Sequence, residues 1–284
     1  MKRYKNQFPM DKMAKVMKVA RSGYYSYVKR LPSAQEQENI GLLEKIKVIH
    51  KAKRKVYGSP RIHAELKRYG EKCSRKRVAK LMSIHGIRAK MKCGFQKRKR
   101  CAVLTPSNLL SQRFEASKPN EIWLADITYI RTAEGWLYVA AILDLFSRKI
   151  VGLSMSNRMQ TDLVKNALQQ AVINRNPGRD LIHHSDRGSQ YTSEDFKQVA
   201  ASYKMRLSMN SGSCYDNAPM ESFFHTLKTE HTYLIGYKTR KETKSDIFEF
   251  IEIFYNRQRS HSKLGYLSPY EFEKIYFEKQ RLCS

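Results

Sequence analysis

The sequence predicts an α/β protein in which a mixed β-sheet is flanked by helices and preceded by small all-helical units. Residues 1–110 show helical periodicity interrupted by glycine and proline, without strand-like alternation. Residues 122–156 contain three consecutive apolar, β-rich segments, and residues 161–230 then alternate between helical and strand patterns. Three strands followed by alternation are typical of a mixed sheet with helices packed on its faces.

The individual elements follow from periodicity and turn residues. Glu134 and Gly135 predict a tight hairpin turn between the first two strands. Three aromatic residues of the first two strands, Trp123, Tyr129 and Trp136, are expected in the core, with base-stacking platforms as the less favoured alternative. The predicted strands span residues 122–130, 136–145, 150–156, 181–184 and 206–209, and the predicted helices span residues 162–175, 193–204, 219–230 and 239–256.

The N-terminal third contains two helical units. Residues 10–30 show helical spacing with a break at Ser22 and Gly23, which indicates either a small helix-turn-helix or a basic helical hairpin without DNA contact. The second unit has an apolar stripe beginning at Ile40, a turn at Gly70 and a later helix capped by Ser74. Basic side chains at the start of that helix oppose the helix dipole unless an anion lies there. The predicted DNA contacts of this helix-turn-helix are Arg75, Lys76 and Arg77.

The charge distribution indicates a polyanionic partner. The chain carries 54 Lys and Arg against 26 Asp and Glu, a net charge of +28. Residues 1–110 hold 30 basic and 6 acidic side chains, a net +24, so the anion-binding surface is mostly N-terminal. Composition alone leaves nucleic acid and an anionic membrane surface open. A basic run within the linker is either a solvated arm or a contact to the DNA backbone, through Lys97, Arg98, Lys99 and Arg100.

Hydropathy and cysteine usage narrow the class of protein. The longest apolar run, Trp136 to Leu143, is far shorter than the roughly 20 residues of a membrane-spanning helix, and the N-terminus lacks the apolar segment of a signal peptide. The five cysteines form no C-x-x-C pair, which is typical of reduced thiols and argues against a zinc module. We expect a soluble cytoplasmic protein without a membrane partner.

Three carboxylates carry the functional hypothesis. Asp126 lies midway in the first predicted strand, Asp186 just past the end of the fourth, and Glu221 in the first turn of a helix opened by Pro219. An unpaired Asp in an apolar strand is unfavourable by several kcal/mol or more, whereas a bound cation would stabilise it. If the first and fourth strands are neighbours, both carboxylates project from one end of the sheet.

Such a group of oxygen ligands suits Mg²⁺ or Mn²⁺, and we expect two ions per active site. Two ions can activate an attacking oxygen and stabilise the leaving oxygen of a phosphoryl transfer, so no side-chain nucleophile is needed. The hypothesis from the residues is therefore a metal-dependent polynucleotidyl transferase. A serine or tyrosine recombinase is the less favoured class, because none of the 17 tyrosines lies in a recognisable nucleophile arrangement.

Several strings carry a family resemblance. They are "NEIWLADITYI", "LDLFSRKIVG", "HHSDRGSQYTS", "CYDNAPMESFFHTLK" and "YNRQRSHSKLGYLSPYEF". Through them, residues 120–272 resemble the retroviral-integrase-type core of bacterial insertion-sequence transposases, in particular the second-reading-frame protein of the IS-three family. Residues 57–88 are similar to the helix-turn-helix segment of the same family.

The resemblance implies a ribonuclease H-like fold with Asp126, Asp186 and Glu221 as a metal-binding DDE triad. It also implies that Lys228 contacts the DNA end near the metal ions. His184 and Asn217 lie beside triad members and could orient ligands or bind DNA, although His184 could equally be a hydrogen-bonded residue at a strand end. One departure is the spacing of 34 residues between Asp186 and Glu221, where the family more commonly has 35. Arg259 matches the last string without an assigned role.

The resemblance further implies a bacterial protein associated with the nucleoid. The function implied is transposition: water nicks the element end, and the exposed 3′ hydroxyl attacks another phosphodiester, first joining the two ends into a circle. The expected partners are double-stranded DNA (terminal inverted repeats and target), further copies of the chain, and the upstream-frame protein or a frameshift fusion with it. The alternatives are a catalytically silent DNA-binding regulator and a ribonuclease H-like nuclease.

The predicted boundaries of the domains are 1–35 (small helical unit), 36–90 (helix-turn-helix), 91–118 (basic linker), 119–235 (catalytic core) and 236–284 (helical extension).

Overall fold

The structure is a computed structural model, and it describes residues 1–4, 6–91, 115–210 and 217–282. The basic run Lys97 to Arg100 lies outside the described residues, as does most of the linker. Among the helices of the described ranges, none has the length and apolar character needed to cross a bilayer.

The N-terminal helical unit contains α1 (Met10–Val16) and α2 (Arg21–Lys29). The expected break at Ser22 and Gly23 is wrong, because the chain leaves the helix between the two elements, where Lys18 has a positive φ of 51°. Ser22 and Gly23 instead form the first turn of α2. Serine and glycine, which the sequence pattern suggested as helix breakers, are compatible with a first helical turn. The backbone N–H groups of that turn have no intrahelical partner in any case.

The second helical unit contains α3 (Ala34–Ala52), α4 (Ser59–Arg68) and α5 (Arg75–Ile84). The predicted cap is confirmed, since Ser74 Oγ accepts from the backbone N–H of Arg77 at 3.2 Å. Gly70 provides the turn between α4 and α5 with a φ of 80°, which favours glycine. The apolar stripe of α3 differs from the expected one, because Ile40 is 57% exposed and the buried side chains are Leu42, Leu43, Ile46 and Ile49.

A five-stranded mixed sheet forms the centre of the protein, in the order β3-β2-β1-β4-β5. The first three strands are antiparallel neighbours, whereas β4 runs parallel to both β1 and β5. The hairpin predicted at Glu134 and Gly135 is confirmed as the connection of the first two strands. The strands are β1 (Ile122–Thr132), β2 (Gly135–Asp144), β3 (Ile150–Ser156), β4 (Ile182–Ser185) and β5 (Arg206–Met209).

Helices cover both faces of this sheet. Alternating residues of β1 face opposite sides, so Trp123 packs with α6 and α8 while Leu124 packs with α9 and the C-terminal segment. Gly152 allows the close approach of α6 to β3, because a Cβ there would lie 2.3 Å from the carbonyl oxygen of Ala167. These helices are α6 (Thr161–Arg175), the single turn α7 (Ser189–Thr192), α8 (Glu194–Ser202) and α9 (Ala218–Glu230).

The C-terminal extension contains two helical elements. α10 (Arg240–Glu249) continues directly into a π-helix (Phe250–Tyr255), so the single helix predicted over 239–256 is confirmed with one change of winding. The apolar side chains of the π-helix fill the core against α9. α11 (Pro269–Leu282) was not predicted from the sequence.

A buried ion pair joins the second helical unit, α9 and the C-terminal extension. The Arg259 guanidinium donates to both carboxylate oxygens of Glu230 at 2.7 Å, and Arg61 of α4 donates to the same carboxylate at 3.2 Å. The side chains of Glu230 and Arg259 are only 4% and 5% exposed. Burial raises the pKa of Glu230, but the hydrogen bonds and charges of Arg259 and Arg61 hold that pKa below its ordinary value.

Two further contacts strengthen this junction. The Tyr57 hydroxyl donates to Ser260 Oγ at 3.1 Å, and Ser260 Oγ in turn donates to Glu65 Oε1 at 2.9 Å. Arg54 pairs with Glu249 at 2.7 Å. The second helical unit and the sheet domain also share one continuous apolar cluster. The junction is therefore a packed, hydrogen-bonded interface.

We expect Arg259→Met to lower the free energy of unfolding by about 3 kcal/mol, because Glu230 would stay buried with only Arg61 as a charged partner. Urea unfolding followed by circular dichroism measures this change. Arg257→Met is the matched control, since Arg257 is exposed two residues away and should change stability by less than about 1 kcal/mol. Equal losses in the two variants would contradict the assigned role.

Candidate active site

The register of the sheet places two of the predicted carboxylates side by side. In the parallel β1–β4 pair, Leu124 lies opposite His184. Two residues beyond these partners, Asp126 lies within β1 and Asp186 is the first residue after β4 ends. Neighbouring strands lie about 4.8 Å apart. The condition stated from the sequence, that the first and fourth strands are neighbours, is thus met.

Backbone amides orient both carboxylates. Asp126 Oδ1 accepts from the N–H of Ile127 at 2.8 Å, and Asp186 Oδ1 accepts from the N–H of Gly188 at 3.0 Å. Both side chains are half-buried. A backbone N–H group of the adjoining strand or loop therefore fixes the orientation of each carboxylate.

Tyr191 is a neighbour of this pair that the sequence reasoning missed. The residue follows Asp186 in the string "HHSDRGSQYTS" and is 2% exposed. Burial, followed by the negative charges of Asp126 and Asp186, raises the pKa of Tyr191 well above its ordinary value. Both aspartates therefore lie close enough to Tyr191 for their charges to act on its hydroxyl.

The third carboxylate lies on α9, which packs against β1. Asn217, at the N-cap of this helix, donates from Nδ2 to the carbonyl oxygen of Ala125 at 3.1 Å. This bond ties the start of α9 to the residue before Asp126. Glu221 is exposed in the first helical turn. Within the described ranges, no group of three or more His, Cys, Asp or Glu side chains is close enough to hold a metal ion, so Glu221 does not complete a cluster with the aspartates in this structure.

Lys228 lies on the same helix, two turns after Glu221 and on nearly the same face. Its Nζ lies 5.1 Å from the centroid of the Tyr129 ring. Burial lowers the pKa of Lys228, while the charge of Asp126 opposes that shift. The ammonium group of Lys228 therefore lies against the Tyr129 ring, within range of the charge of Asp126.

The two adjacent histidines of β4 are internal. His184 is fully buried and its Nδ1 lies 2.9 Å from Ser208 Oγ of β5, which corresponds to the interpretation of a hydrogen-bonded strand residue. His183 is also fully buried, packs against the rings of Tyr191 and Phe196, and neither ring nitrogen has a partner among the described residues. Burial and then the neighbouring His184 lower the pKa of His183 to about 4.

The three predicted DNA contacts of the helix-turn-helix have different surroundings in the structure. Arg75 and Lys76 are exposed at the start of α5. Arg77 instead donates to Asn39 Oδ1 at 2.7 Å and to Glu38 Oε2 at 3.0 Å, so its guanidinium joins α5 to α3. The basic run from Lys97 to Arg100 lies outside the described residues.

The expectation that three aromatic residues lie in the core is only partly right. Trp123 is fully buried, but Tyr129 and Trp136 are each 45% exposed. The expectation was wrong for these two because they lie on the far half of the β1–β2 hairpin, beyond the end of β4. Their rings contact each other edge to face, with centroids 5.0 Å apart.

Family models identify the class of protein to which this chain is similar. The family model "Integrase core domain" matches residues 116–213, a second integrase core model matches residues 221–277, and an "HTH-like domain" model matches residues 36–95. Together with the strand order β3-β2-β1-β4-β5, these matches confirm the predicted ribonuclease H-like fold and its helical N-terminal part.

Similar curated proteins define the family. The chain is 45% identical over 249 residues to the transposase for insertion sequence element IS904 of Lactococcus lactis, covering 86% of this chain and 98% of that protein. It is 40% identical over 276 residues to the transposase InsF for insertion sequence IS3A of Escherichia coli, covering 95% and 96%. This chain belongs to the same family of insertion-sequence transposases.

A solved structure of the HTLV-2 integrase catalytic core in complex with magnesium is also similar, at 14% identity and a TM-score of 0.42. The likeness covers 56% of this chain and 99% of that one.

We expect His183→Leu to flatten the pH dependence of stability between pH 6.5 and 4. The folded pKa of His183 lies below its ordinary value of 6.5, so an unfolded chain binds a proton that the folded chain excludes, and stability falls as the pH falls through this window. The slope lost should approach 1.4 kcal/mol per pH unit. Urea unfolding at pH 7, 6 and 5 measures it. The exposed His85, changed to Gln, is the control, and an unchanged slope in His183→Leu would contradict the expectation.

Proposed function

We propose that this transposase cleaves and joins DNA at the ends of an insertion sequence with Asp126, Asp186 and Glu221 as its catalytic carboxylates. The observation that carries the proposal is the register of the parallel β1–β4 pair, in which Asp126 and Asp186 each lie two residues beyond the Leu124–His184 partners. Glu221, on the helix anchored by Asn217 beside Asp126, is the third member.

The donor chemistry fits Mg²⁺ or Mn²⁺. Carboxylate oxygens are hard ligands, and magnesium is usually held by one or two of them together with water and substrate phosphate. Asp126 and Asp186 would hold a first ion, and Glu221 with one of the aspartates a second. When bound, such ions polarise the phosphodiester and lower the pKa of a water molecule.

Other groups of the chain position the two aspartates and supply a positive charge within range of Asp126. The backbone N–H groups of Ile127 and Gly188 fix the two aspartates. The Lys228 ammonium lies where it can neutralise a phosphate of the DNA end that approaches Asp126. The buried Tyr191 excludes water from the rear of the aspartate pair.

The reaction proceeds by two in-line displacements. In the first, water attacks the scissile phosphorus and the 3′ oxygen leaves, which yields a 3′ hydroxyl and a 5′ phosphate. In the second, that 3′ hydroxyl attacks another phosphodiester and displaces its 3′ oxygen, so one bond forms as one breaks. We propose that the first joining links the two element ends into a circle.

Two ends must be brought together, so an oligomer on DNA is part of the proposal. The upstream-frame protein, or a frameshift fusion with it, is the further proposed partner. No comparison favours a silent regulator or a nuclease. A nuclease with this fold would release cut ends, whereas a transposase links them.

We expect Asp126→Asn to abolish nicking and joining of labelled element ends, because the amide no longer supplies a negative ligand beside Asp186. Gel analysis with Mg²⁺ or Mn²⁺ measures both products, and gel-shift binding in their absence should be unchanged. Asp195→Asn is the control, since that side chain is 72% exposed on α8. Retained strand transfer in Asp126→Asn would refute the assignment.

We expect the double variant Arg75→Gln, Lys76→Gln to weaken DNA binding across sequences and to lower the slope of log affinity against log salt by about 2, since each phosphate contact contributes about 0.9. Fluorescence anisotropy between 50 and 200 mM salt measures it. Lys274→Gln, Lys279→Gln on α11 makes the same change in charge at exposed positions and is the control. Equal effects of the two double variants would show that the net charge of the chain, and not the position of Arg75 and Lys76, determines the affinity for DNA.

A further inference from the structure

Tyr129 and Trp136 form an exposed aromatic pair on the β1–β2 hairpin, defined here as the hairpin pair. Each side chain is 45% exposed, although both belong to strands whose other large apolar residues are mostly buried. A cross-strand aromatic contact stabilises a hairpin by less than about 1 kcal/mol. The contact between the two rings therefore gives little reason for keeping two large aromatic side chains exposed to solvent.

The hairpin pair adjoins the proposed active site. Tyr129 lies three residues after Asp126 on β1, so the two side chains leave opposite faces of that strand. Lys228 connects the two features, because it lies two turns after Glu221 on α9 and its Nζ lies 5.1 Å from the centroid of the Tyr129 ring. A DNA end with a phosphate at Lys228 therefore passes within reach of the Tyr129 ring.

The surroundings of the hairpin pair are basic. Arg131 lies directly opposite Trp136 in the strand register. Arg240, at the start of α10, donates from Nε to the carbonyl oxygen of Trp136 at 3.1 Å. Lys228 lies on the Tyr129 side. Exposed rings set among cations are the combination that binds single-stranded nucleic acid, in which bases stack and phosphates are neutralised.

We propose that the hairpin pair is a stacking platform for an unpaired nucleotide of the DNA end during cleavage and joining. The inference rests on the proposed function, and it adds the form of the substrate: an end opened next to the scissile phosphate. Trp136 offers the base its ring, and Tyr129 is held in place by Lys228 on one side and Trp136 on the other. Stacking is tolerant of base identity, so the platform recognises an open strand rather than a sequence.

The test compares DNA ends with and without an unpaired 3′ tail of three nucleotides, one of them 2-aminopurine. Binding is measured without divalent ions, so no chemistry occurs. We expect Trp136→Ala to weaken binding to the tailed end about 5- to 100-fold, to change binding to the blunt duplex less than twofold, and to abolish fluorescence quenching of the 2-aminopurine. Trp136→Phe should restore most of the affinity and the quenching, because a phenyl ring still stacks.

Phe277→Ala is the matched control, since Phe277 is 46% exposed and makes an edge-to-face contact with Tyr276 far along the chain on α11. The proposal is overturned if Trp136→Ala weakens tailed and blunt ends equally, leaves both unchanged, or alters the oligomeric state in light scattering, which would identify a protein occupant. Thermal unfolding of each variant confirms that it is folded. Activity of Asp126→Asn tests the catalytic assignment separately, so failure of one proposal leaves the other distinguishable.

Discussion

The buried pair of Glu230 and Arg259 is the constraint on which the arrangement of this protein depends. Two charges at 4% and 5% exposure are unfavourable unless their hydrogen bonds are satisfied, and here both carboxylate oxygens accept from one guanidinium. Glu230 ends the helix whose first turn carries Glu221. Because Arg61 also donates to Glu230, one carboxylate joins the second helical unit, α9 and the C-terminal extension.

A second buried charge cluster joins β2, α6 and α11. Arg175, at the end of α6, pairs with Glu273 of α11 at 2.7 Å and with Asp144 of β2 at 3.3 Å. Asp144 in turn accepts from the backbone N–H of Asn120, just before β1. The C-terminal extension is thus held against the sheet and its helices by ionic contacts in two places as well as by apolar packing.

Local sequence predicted most of the fold and the aspartate pair. The strand patterns were strong, and once β1 and β4 are neighbours their register brings Asp126 level with Asp186 without further information. Long-range features were not predictable in the same way. The exposure of Tyr129 and Trp136 depends on where β4 ends, and the role of Arg259 depends on Glu230, which is 29 residues away in the chain. Arg77 seemed a DNA contact because its partners on α3 are 38 and 39 residues distant.

The single helix between Glu221 and Glu230 acts as a rigid lever. Nine residues at 1.5 Å each separate these two side chains by about 14 Å along the axis. A tilt of only about 4° at the Arg61 end would therefore carry Glu221 through about 1 Å, a displacement that can change a catalytic rate by about 100-fold. A rotation of the N-terminal unit that tilts α9 through Arg61 would in this way displace Glu221, the third carboxylate of the proposed site.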